Sequence, residues 1–177
     1  MSQIETAQQL PGAAQTYFSG LGITCSHYNG GALLQAADKT EAELQTIYDS
    51  RDEAAILELT QKDCAKRVEV AADKSMGNRI SLKPLYSEKS RQAEAHKTAG
   101  YPADMTEYRH VGVEQTVRGG TPTEACERIR TAAAVSVSVE IETENIRLPA
   151  KRDIDAETDP LVCEQLAVTA IKALEAL

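Results

Sequence analysis

The residues Arg118-Gly119-Gly120-Thr121 come nearest to a ligand site in this chain. Two glycines expose backbone N–H groups, and Thr121 opens a helix whose first turn carries a partial positive charge. Arg118 adds a cation, so the turn could hold a phosphate or another anion. The spacing fits neither a phosphate-cradling lysine loop nor a dinucleotide fingerprint. Any connection into a helix also profits from glycine followed by a threonine cap.

Other pairings are weaker. Cys126, near the start of that helix, and His110 upstream form the best cysteine–histidine combination for nucleophilic catalysis. Cys126 nevertheless shares a side with Ile129 and Ala133, as a buried thiol does. Glu140 and Glu142, on an extended strand, stand about 7 Å apart on one face, a separation suited to paired carboxylates. Alternating acids also protect exposed strand edges. Cys25 and His27 could face one metal, but no second pair with ligand spacing completes the set. Gly20-Leu21-Gly22 and Asn29-Gly30-Gly31 read first as turns. No catalytic residue, metal site or cofactor is assigned, and the chemistry leans away from an enzyme. Arg118, Gly119, Gly120 and Thr121 stand as the one candidate anion contact.

These residues need elements to position them. The stretch Tyr108–Glu142 alternates Val111, Val113 and Val117, then a glycine pair, a capped helix, and Val135, Val137, Val139 and Ile141. Period-two runs of β-branched residues predict strands, here near 108–118 and 135–146. Because Ala132-Ala133-Ala134 leads into Val135 with almost no turn residue, the alternative for 135–146 is an extension of the helix. Upstream, Thr40-Glu41-Ala42-Glu43 has the form of a capping box. Ser50-Arg51-Asp52-Glu53 offers another, so the helical stretch to about Ser75 either breaks near Asp49 or runs unbroken. Arg79–Leu85 suggests a short edge strand limited by Pro84, and Glu88–Thr98 a polar helix closed by Gly100. Asp159-Pro160 starts an amphipathic helix, 160–177, with Cys163, Leu166, Ala167, Ala170 and Leu174 on one face. The fold class expected is α+β: a helix-rich middle, a small β-sheet and this C-terminal helix.

Three segments follow. Residues 1–37 are a low-charge N-terminal arm or loop-rich lobe, with a helix turn over Ala13–Phe18. Residues 38–100 are helical. Residues 101–177 form a small α/β unit with the C-terminal helix, in one domain with 38–100. Termini fray unless tied down, so the arm should dock on its own body or on a neighbouring subunit.

Composition narrows function. The 177 residues include no Trp and one Phe, with a net charge of −8. Alanine-rich segments bury little area per residue, whereas a large apolar side chain contributes about 1.5–3 kcal/mol when fully buried. A core this thin favours burial against other subunits. The acidic balance and the lack of a basic run disfavour nucleic acid. No apolar run approaches a membrane span. Met1–Glu5 carries neither a basic nor an apolar signal-peptide region. The four scattered cysteines suggest free thiols in the cytoplasm, or in an assembled virion. The expectation is a non-enzymatic structural or protein-interaction subunit that self-associates as a homo-oligomer or in a larger assembly. A virion component, a filament subunit and a phage-type accessory factor all suit it. The alternative is a small-molecule or nucleotide-binding domain using the glycine turn and helix start at 118–124.

Overall fold

In a computed structural model of the chain, residues 1–28, 31–77 and 79–177 are described. The fold is helix-rich α+β: β1 (Ser2–Thr6), α1 (Ala14–Gly20), β2 (Thr24–Tyr28), β3 (Gly31–Ala36), α2 (Glu41–Asp49), α3 (Glu53–Met76), α4 (Arg79–Thr98), α5 (Arg109–Arg118), α6 (Pro122–Ala156) and α7 (Pro160–Glu175). The chain divides into two compact units. One comprises Met1–Ala72 with Ile146–Ala176, the other Asp73–Asn145 with Leu177.

Within the first unit lies a three-stranded antiparallel sheet, ordered β1-β3-β2. In its register Leu34 stands opposite Ile4 on one side and Cys25 on the other. Ala32, Leu34 and Ala36 point inward at period two. They pack with Phe18 of α1, Leu44 and Tyr48 of α2 and Ile56 of α3. Strands β1, β2 and β3 of the N-terminal segment therefore form a sheet that packs on α1, α2 and α3.

Helix α2 begins with the expected capping box. Glu43 N–H donates to Thr40 Oγ1 while Thr40 N–H donates to the Glu43 carboxylate. The break after Asp49 is real, but Asp52 makes the second cap, accepting from Ala55 N–H at 3.0 Å. Ser50 turns back to donate to Thr46 O. A second cluster joins Cys64 and Val68 of α3 to Ile154 and to the Cys163, Ala167, Ala170 and Leu174 face of α7. That helix starts at Pro160 beneath an Asp159 cap, as the sequence suggests. Glu69 of α3 holds the end of α6 in the same place, accepting from Arg147 and Lys151.

The second unit corrects the strand placement. Residues 109–118 are α5, and 135–146 lie inside the 35-residue α6. The stretch 79–85, expected as an edge strand, is the first part of α4 with Pro84 inside it. A strand needs a paired neighbour, and no glycine or proline interrupts the helix between Pro122 and Pro149. No glycine follows Gly120 in the entire chain, and Ala132-Ala133-Ala134 feeds the valines with no turn residue. Val costs only a few tenths of a kcal/mol against Ala in a helix. Four β-branched residues are too small a penalty to break it. On a helix, Val135 and Val139 share one side and Val137 and Ile141 another, so the alternation ceases to define a face. The core of this unit is small: Ala93, Val111, Ala125, Cys126 and Ile129, with Tyr101, Met105 and Tyr108 packed against it.

Candidate functional site

Gly119 and Gly120 have φ of 72° and 89°, in the region that favours glycine. They turn the chain from α5 into α6. Thr121 Oγ1 accepts from Glu124 N–H at 3.2 Å, and Thr121 N–H donates to the Glu124 carboxylate at 2.7 Å. That backbone hydrogen bond, followed by the Thr121 side chain, holds the Glu124 carboxyl below its usual range. An external anion would therefore have to displace a carboxylate already seated at the helix start. Arg118 pairs with Glu114 at 3.3 Å. Arg128 donates to Gly119 O at 2.9 Å and also pairs with Glu114.

The turn borders a groove of about 870 Å³ between α4, α5 and α6. Its charges balance: Lys89, Arg118 and Arg128 face Glu114, Glu124 and Glu127. A mixed lining of this kind offers no net attraction to phosphate. Val135, Thr131 and Ala132 of α6 form its uncharged wall. A second concavity, about 600 Å³, carries Val137, Ala133 and Met76 together with Tyr86.

The remaining sequence candidates do not assemble. Cys126 is buried and donates through Sγ to Ala93 O at 3.0 Å; burial pushes its thiol up. His110 instead receives attention through its backbone, whose N–H donates to Gln92 Oε1. Glu140 and Glu142, two apart on a helix rather than a strand, project to different sides. Glu140 lines the smaller concavity, and Glu142 accepts from Ser138 Oγ. Cys25 is in the sheet core, while His27 bonds Leu10 O through Nε2. Among the described residues no group of three metal-ligating side chains converges. Gly22 closes α1 with φ of 73°, and Asn29 and Gly30 lie outside the described residues. No described helix is long and apolar enough to cross a membrane.

A feature that sequence reasoning missed is the unburied centre of α6. Among the described residues, none from Arg130 to Glu142 is buried, although Ile129 and Thr143 on either side are. Val135, Val137 and Ile141 are each more than half exposed, as are Val113 and Val117 of α5. The available signal was the lack of any glycine or proline between Pro122 and Pro149, which lets one helix run through 130–142. No protein family, curated protein or solved structure matches the chain.

Proposed function

We propose that this chain is a non-enzymatic structural or protein-interaction subunit that self-associates. The observation that supports this is the α6 centre. A helix within a folded unit ordinarily buries a residue every three or four positions, yet α6 presents more than three turns without one, and those turns carry Val135, Val137 and Ile141. Each such valine or isoleucine, half exposed, has about 1 kcal/mol of burial still to gain. An exposed valine such as Val135 in the middle of an unburied, uncharged helical stretch suits a protein contact. The glycine turn at 118–124 favours a nucleotide less, because Thr121 N–H is answered by Glu124 and Gly119 N–H by Gln115 O.

Sedimentation velocity and light scattering over a wide concentration range test the proposal. The expected result is a species of at least twice the chain mass that dissociates on dilution. A monomer at every concentration overturns it.

A further inference from the structure

Resting on that self-association, we propose that the interface is α6 lying antiparallel against α6 of a second copy, with the two-fold axis at Val135. The residues Arg128, Thr131, Val135, Ser138 and Glu142 follow 3-4-3-4 spacing and so share one side of the helix. Thr131, Val135, Ser138 and Glu142 are exposed, and Arg128 is partly so. No charge occurs between Thr131 and Val139. The stripe is thus an uncharged centre with one basic and one acidic end.

Arg128 precedes Val135 by as many residues as Glu142 follows it, about 10 Å along the axis in each direction. An antiparallel pairing about Val135 therefore sets Arg128 of each copy beside Glu142 of the other. A parallel pairing would set Arg128 against Arg128 and Glu142 against Glu142. The charge order selects the antiparallel arrangement, as do the two helix dipoles. It also selects a second copy of the chain as occupant, because the pattern is complementary to itself under a two-fold rotation.

Arg128 retains capacity for this. Its contacts to Glu114 and Gly119 O use Nε and Nη2, while a guanidinium carries five N–H donors. The groove of about 870 Å³ beside Val135, Thr131 and Arg128 gives the incoming helix a concave seat. Helix-on-helix contact of this length falls at the small end of specific interfaces. The dimer should accordingly form and dissociate with concentration, and weaken with added salt.

A charge-exchange series on the full chain, read by sedimentation equilibrium, is the test. Glu142→Arg and Arg128→Glu each place like charges across the axis and should raise the dimer dissociation constant roughly tenfold. Combining the two reversals restores opposite charges and should recover the wild-type value. In parallel, Val135→Cys sets a thiol on the axis, and a mild oxidant should cross-link two copies faster through it than through Val113→Cys. All four native cysteines are buried, so they do not compete. Wild-type dimers indifferent to both reversals, or Val135→Cys no faster than Val113→Cys, overturn this interface while leaving self-association standing. A wild-type monomer throughout overturns self-association and the interface with it.

Discussion

Gly31 opens β3 where an added Cβ would stand 1.7 Å from the carbonyl oxygen of Thr6. The approach of β1 to β3 therefore requires the missing side chain, whatever the backbone angle. Gly31→Ala should force those strands apart and cost about 1–3 kcal/mol, in the range of overpacked cores. Urea denaturation measures it, and an unchanged midpoint would show that β1 does not pack there. Thiols make a second residue-level test. Burial raises Cys25, Cys64, Cys126 and Cys163, with Cys64 pushed up to about 12. The thiolate is the reactive form. Native protein at pH 8 should react slowly with a colourimetric disulfide reagent, then titrate four thiols in denaturant. Rapid native labelling of Cys126 would reopen a nucleophilic role for it.

Among the elements, α6 and α3 offer a direct comparison. Val68 of α3 is fully buried against α7, whereas Val137 of α6 is exposed. Val68→Ala should cost on the order of 2 kcal/mol through lost transfer and a cavity. Val137→Ala should fall within about 0.5 kcal/mol of wild type under monomeric conditions, since better helix propensity offsets what contact is lost. Comparable losses at both positions would mean that the α6 centre is buried after all. Much of the helical architecture was legible because its signals are local: the Thr40–Glu43 box, the Asp159-Pro160 start and the 3-4 spacing of α7. The sheet was not. In β1 the apolar pattern rests on Ile4 alone, and in β3 it rests on Ala32, Leu34 and Ala36, two of which are too small to stand out. Alternation in α6 was legible but misleading, since four β-branched residues mimic a strand while nothing nearby can pair with them. The candidate anion contact carries a related ambiguity. The same Thr121 that could cap a helix beside a ligand instead shares a closed box with Glu124, and only coordinates reveal which partner wins.

At the scale of the whole chain, the scarcity of large side chains shows as separate clusters rather than one deep core. Phe18 serves one of them, and the smallest is built on two alanines and a cysteine beside Val111 and Ile129. Polar ties matter more when burial is thin, and many of them here are carboxylates. Glu69 is held low by Lys151 and Arg147, Glu43 by the Thr40 backbone, and Glu127 by the Tyr101 hydroxyl and Arg130. Glu124 belongs with them. In each case the folded value lies below the ordinary glutamate value of 4.5. The unfolded chain then binds protons first on acidification. Their contribution is complete above 4.5 and is lost as pH falls through the lowered folded values. Neutralising part of the net charge of −8 acts the other way, by relieving repulsion. At about 0.1 M salt that relief is screened beyond roughly 10 Å, while contacts near 3 Å are not. Urea midpoints should therefore stay level from pH 8 to pH 6 and decline steadily from pH 4.5 to pH 3. Glu43 and Glu69 belong to one compact unit and Glu124 and Glu127 to the other, so probes in either unit should register the decline in the same window. A midpoint that holds or rises below pH 4.5 would show that these hydrogen-bonded carboxylates contribute nothing net, and that the clusters carry the stability alone.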